Sequence, residues 1–184
     1  MSGRENQRVK LTKTLLKNSL IDLMHSKPIN KITIKELCEN ADINRSTFYL
    51  YYSDQYALLG EIEKDLLLHA EEHMDKISSD TSSVRYLQEL LTYIKNNKDI
   101  FRTLLCRQEN FNFQTNFIAY SMKKLKITIN LKCSEKISEY VFHFLTMGCL
   151  NIIKEWIISD FDISVEDMAH MIFRLSDGAA VTYK

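Results

Sequence analysis

The sequence predicts an all-α fold, a small helical head followed by a larger helical body, and three observations carry that prediction. Turn formers are scarce: the 184 residues include one proline and four glycines, whereas a sheet-rich chain of this size spends many of both on tight turns. Apolar residues recur at spacings of three and four through most of the chain. Side chains able to cap a helix stand in front of several of these stretches.

The elements follow in order. Residues 6 to 26 place Leu16, Leu20, Leu23 and Met24 on one helical face, with Lys10, Lys13 and Lys17 elsewhere on the surface, and Pro28 marks the stop. Thr33 precedes Ile34, Leu37, Cys38 and Ala41, and Glu36 lies three residues on, the spacing of a capping box that opens a short second helix. In the following "ADIN", Asp42 tolerates a left-handed turn, Ile43 can plug the core and Asn44 can cap a third helix. That helix puts Phe48 and Tyr52 inward and leaves Arg45, Ser46, Thr47, Tyr49 and Tyr51 pointing elsewhere. Asp54 caps a longer fourth helix through Leu58, Leu59, Ile62 and Leu66, and "SSDTSS" at 78 to 83 reads as a loop. Further helices are expected near 84–96, 98–108, 113–131, 134–159 and 164–180. The stretch "LKITINLK", 125 to 132, alternates with period two like a strand. Helix is favoured because no second strand exists to pair with it.

Charge is uneven although the formal total is zero. Up to residue 53 there are nine Lys/Arg against five acids, so the head is basic and the body acidic, as expected when a polyanion meets one end only. Cys38, Cys106, Cys133 and Cys149 form no CxxC pair and read as thiols in a reducing compartment. The polar N-terminus and the lack of a long uninterrupted apolar run predict a cytoplasmic chain with no membrane partner.

Two short helices joined by a tight turn and braced by a first helix make a helix-turn-helix, whose second helix enters the DNA major groove. Arg45, Ser46 and Thr47 suit base edges, and Tyr49 and Tyr51 suit phosphates at the groove rim. The run "TIKELCENADINRSTFYLYYSDQYALL", Thr33 to Leu59, resembles the N-terminal DNA-binding domain of the tetracycline-repressor (TetR) family of bacterial regulators. Residues 140 to 172, with a mid-helix glycine, a late tryptophan, a break and a Ser-x-Glu start, are similar to the final two helices of such proteins.

The resemblance implies a homodimer that binds double-stranded DNA at a palindromic operator as a repressor and is released by a small-molecule effector; no cofactor is implied. It places Thr33 and Tyr49 on phosphates and Arg45, Ser46 and Thr47 at or near base edges. With the neighbouring donors Lys10, Lys13, Lys35, Asn44 and Tyr51, these make the expected DNA-binding set. Two positions depart from the family pattern. Asp42 stands where glycine is usual, and Gln55 stands where a lysine usually contacts phosphate, a loss for which Lys10, Lys13 and Lys17 are candidates to compensate. Residues 1–53 are the expected DNA-binding domain, and 54–184 the ligand-binding and dimerisation domain, with helix 54–76 connecting them.

In the body, Cys106, Asn116, Tyr120 and His143 interrupt apolar segments, and with Phe117 they are the candidate effector contacts. Val141, Leu145, Gly148, Ile152 and Trp156, then Met168 and Ile172, form stripes suited to a core or to a twofold four-helix dimer contact. No enzymatic role is expected: there is no GxSxG turn, no glycine-rich phosphate loop and no cysteine with a local histidine partner. "HAEEH", 69 to 73, matches a zinc-peptidase pattern in His69, Glu72 and His73, but no third ligand accompanies it, and no metal is expected. The alternative to a ligand-responsive regulator is a helical interaction module that has lost DNA binding.

Overall fold

The computed structural model describes residues 2–74, 83–106, 111–128 and 131–182, and among these every regular element is helical. The chain divides into two compact units, Met1–Leu66 and Leu67–Lys184. Of the expected loop over 78–83, residues 78–82 lie outside the described residues, and Ser83 already belongs to the helix that follows.

The first unit holds α1 (Ser2–Met24), a single 3-10 turn (Ile29–Lys31), α2 (Ile34–Asn40), α3 (Arg45–Tyr49) and the start of α4 (Gln55–Met74). Leu16, Leu20 and Met24 are buried as the periodicity predicts; Leu23 is only half-buried, and Ile21 is buried as well. Phe48, fully buried, fills the centre with Leu37, Tyr52 and Leu58. Ser19 ties α1 to α2: its hydroxyl donates to the Leu37 carbonyl at 2.9 Å and accepts from Asn40 Nδ2 at 3.1 Å. A buried hydroxyl is tolerated there because both of its roles are satisfied.

The second unit contains α5 (Ser83–Asn96), α6 (Lys98–Cys106), α7 (Phe111–Thr128), α8 (Glu135–Ile158) and α9 (Val165–Thr182). Helix α5 packs against α9, and α6 and α7 pack against α8. A run of aromatic contacts crosses the unit, Tyr93 to Phe101 at 5.7 Å, Phe101 to Phe113 at 6.2 Å and Phe113 to Phe117 at 6.0 Å. Helix α7 continues to Thr128, so the helical reading of the period-two stretch holds that far; residues 129 and 130 lie outside the described residues, and Leu131 and Lys132 are irregular rather than helical.

Ser134 opens α8 and Ser164 opens α9, each accepting a backbone N–H three residues on. Helix α8 ends where Asp160 (φ 54°) and Phe161 (φ 63°) turn left-handed and Phe161 N donates to the Trp156 carbonyl at 2.8 Å. The Phe161 ring then meets the Trp156 ring edge-on at 4.7 Å, and Trp156 Nε1 donates to the Ile163 carbonyl at 3.0 Å. Helix α8 is long and apolar enough to cross a bilayer, yet Phe142, Leu145, Leu150, Ile153, Trp156 and Ile157 are buried inside the unit.

Candidate nucleic-acid interface

The short helices α2 and α3 are held by local chemistry that the sequence names residue by residue. Thr33 Oγ1 accepts from Glu36 N at 3.2 Å and starts α2, while the Glu36 carboxylate pairs with Lys27 Nζ. Helix α2 ends in a left-handed Asp42 (φ 52°), with Ile43 N donating to the Cys38 carbonyl at 2.9 Å, the closing bond of a Schellman turn. A short carboxylate side chain permits that φ where most residues would be strained. Asn44 Oδ1 then accepts from Ser46 N at 3.0 Å and from the Ser46 hydroxyl at 3.1 Å, capping α3.

With Phe48 and Tyr52 buried, the remaining side chains of α3 have one direction left. Asn44, Arg45, Ser46 and Tyr49 are exposed, Tyr49 at 58 % with its ring set edge-on to Phe48 at 5.5 Å, and Thr47 and Tyr51 are half-buried at the sides. Thr33, Lys10 and Lys35 are exposed too, although Lys35 leans on Glu39 at 3.9 Å, one turn along the same helix. One side chain went unremarked in the sequence: Leu50, 76 % exposed, directly follows α3 one turn after Ser46.

Lys13, half-buried, has partners within the head. Its ammonium pairs with Glu61 Oε2 of α4 at 3.0 Å and lies over the rings of Tyr52 and Tyr51, at 5.4 and 5.9 Å. Lys17 is committed in the same way, to Glu61 Oε1 at 2.8 Å and Asp65 Oδ2 at 2.6 Å. Both cations thus already have carboxylate partners within the head. Burial opposes ionisation of Glu61, but Lys17 and Lys13 outweigh it and hold the carboxyl below its usual pKa. Burial likewise opposes the Lys17 ammonium, and Asp65 and Glu61 outweigh it, so that pKa is raised. Beneath this cluster the Tyr52 phenol is pushed well above its ordinary range, by burial first and then by the charge of Glu61.

Residues 81–178, more than half the chain, match the TetR-type family model described as "Transcriptional regulator C-terminal region". The chain belongs to the TetR family of transcriptional regulators. A relative in Bacillus subtilis (strain 168), an uncharacterized HTH-type transcriptional regulator YxbF, is 23 % identical over 167 residues. That match covers 87 % of this chain but only 43 % of the relative, so the chain spans less than half of that protein's length. A TetR transcriptional regulator from Streptococcus agalactiae 2603V superposes with a TM-score of 0.69 at 23 % identity, covering 96 % of this chain and 99 % of the other. The dihydroxyacetone kinase operon activator DhaS superposes at 0.63 with 20 % identity, covering 94 % and 98 %. NalD, the secondary repressor of the MexAB-OprM multidrug efflux pump in Pseudomonas aeruginosa, also gives 0.63, at 16 % identity over 94 % and 97 %. At these identities the structures speak for the fold alone. By family the chain is that of a transcriptional regulator.

In this TetR-family body the candidate effector residues are not gathered at one surface. Phe117 is buried in the aromatic run, Cys106 and Tyr120 are half-buried, and Asn116 and His143 are exposed. A buried polar atom of this unit that sequence reading overlooked is Thr146 Oγ1, which has no hydrogen-bond partner among the described residues.

The apolar stripes resolve into two faces. Leu145, Trp156, Met168 and Ile172 are buried within the protomer, and Val141, Gly148 and Ile152 are half-buried. The exposed apolar face lies beside them: Ile137, Tyr140 (70 %) and Phe144 (72 %) on α8, Met171 and Leu175 on α9. Spacings of three and four marked both stripes of α8 equally, so periodicity alone did not say which one turned inward. In the HAEEH stretch, His69 Nδ1 lies 3.4 Å from Glu72 and its ring contacts Tyr93; among the described residues no group of three His, Cys, Asp or Glu could hold a metal.

Proposed function

We propose that the protein is a homodimeric, ligand-responsive repressor that binds a palindromic operator, with residues 1–53 as its DNA-reading head and the remainder as its dimerisation and sensing body. The observation that carries the reading is the exposed row Asn44, Arg45, Ser46 and Tyr49 on a capped helix whose other face is anchored by Phe48. Arg45 and Ser46, in its first turn, are suited to base edges; Thr33, Tyr49, Lys10 and Lys35 surround them with donors suited to phosphate. Two heads related by a twofold axis would reach successive major grooves about 34 to 36 Å apart.

The dimer contact belongs on the exposed face, Ile137, Tyr140 and Phe144 with Met171 and Leu175. A Cβ built on Gly148 meets no atom of the described residues within 4 Å, which leaves room for a partner to approach closely. The sensing role is supported by Thr146, a buried hydroxyl without a protein partner in an apolar unit, where a polar group of an effector would be rewarded with a hydrogen bond. Release follows if the effector binds better to a state whose head separation no longer matches the operator. Work at DNA places the protein in the cytoplasm. The fold itself serves either sign of regulation, since DhaS is an activator and NalD a repressor.

The test is the salt dependence of binding to DNA. A head that neutralises phosphates must lose affinity steeply as salt rises, because condensed counterions are released on binding. A flat response would favour the alternative, an interaction module that no longer uses its helix-turn-helix.

A further inference from the structure

The head carries a cluster that DNA reading does not absorb. Helix α1 presents Lys13 and Lys17 to α4, and α4 answers with Glu61 and Asp65, in three ion pairs of 2.6 to 3.0 Å. The arrangement is graded. Lys17 has two carboxylates, Glu61 has two ammoniums, and Lys13 has Glu61 alone. Lys13 is also the member nearest the reading face, with its ammonium over the ring of Tyr51, just past the end of α3. All four side chains keep some exposure, so the pairs are open to solvent and to a competing anion.

A carboxylate on a lysine offers what a phosphate oxygen would offer, an anionic acceptor at hydrogen-bond distance. We infer that Glu61 is a built-in competitor for DNA phosphate, which occupies Lys13 and keeps that cation out of the duplex contact. The inference rests on the docking of α3 proposed above, because only that docking brings a phosphate strand past Tyr51. Its consequence is that this TetR-family head binds DNA more weakly, and with a shallower salt response, than its lysine content implies. Lys17 stays masked when Glu61 is lost, because Asp65 still holds it.

The test uses the full chain, a duplex carrying its selected site and an unrelated duplex of equal length, with affinity followed against salt. Glu61→Gln should steepen the slope of log affinity against log salt by about 1.8, one phosphate per head and two per dimer, on both duplexes; affinity relative to wild type then shifts about twelvefold between roughly 50 and 200 mM salt. Lys13→Gln alone should leave the slope unchanged, and adding it to Glu61→Gln should return the slope to the wild-type value. A simple net-charge effect predicts otherwise, since Lys13→Gln alone would then flatten the slope by as much as Glu61→Gln steepens it. That flattening would overturn the inference, as would an unchanged slope in a folded Glu61→Gln protein. Should Glu61→Gln fail to fold, Glu61→Ala takes its place in the same comparison. A flat response in the wild type would instead defeat the docking of α3, a failure distinguishable from either of these.

Discussion

Arg45 and Tyr49 share one exposed surface and yet should behave as opposites. Arg45 can span two acceptors on a base edge, so Arg45→Ala is expected to lose about 1–3 kcal/mol on the preferred site and to relax selectivity at one base pair. Tyr49→Phe removes the hydroxyl proposed to meet phosphate and should weaken all duplexes by the same factor, as titrations on matched and unrelated DNA will reveal. Thr146 makes a separate prediction. Replacing its unpartnered hydroxyl with a methyl, Thr146→Val, should raise stability by about 1 kcal/mol in a denaturant melt. Much of this scale was readable beforehand: the Thr33, Asn44 and Asp54 caps and the left-handed Asp42 follow from what those side chains can do within three residues of backbone. Leu50 and Thr146 escaped notice, because single exposure and single burial leave no periodic trace.

Between helices, the decisive facts are which side chains meet, and here sequence spacing loses its grip. Lys13 and Glu61 are 48 residues apart, and no local pattern announces their pairing. Lys13 therefore looked like a free cation until α4 was seen beside α1. The pairing also sets a pH limit on the head. Glu61 titrates below its usual value when folded, so its contribution is complete above the ordinary carboxylate range and is lost as pH falls through the lowered folded value. Acid melts of wild type and Glu61→Gln should therefore converge at low pH and separate near neutrality; parallel curves would contradict the pairing. Helix α8 poses the complementary problem. Its two apolar stripes look alike in sequence, and only packing against α6 and α7 tells them apart. Phe144→Glu should yield a folded monomer by sedimentation and circular dichroism, because the ring is exposed in the protomer. Trp156→Ala removes a buried ring and should cost about 3–5 kcal/mol, unfolding the body itself.

At the scale of the whole molecule the all-helical class was legible from the shortage of glycine and proline. The positive charge counted up to residue 53 is largely offset within the first unit by Asp54, Glu61, Glu63 and Asp65. The effector contacts were not legible, because a pocket is a product of packing between helices and polar residues on apolar segments mark only candidates. Asn116 and His143 show the difference, polar intruders that end on the surface. The proposed function rests on repeating one head twice about an axis, and selecting bound duplexes from random DNA with the purified chain probes that most directly. The account predicts an inverted repeat with half-site centres about one helical turn apart. Recovery of a single unpaired half-site, or of no enriched sequence at all, would contradict it.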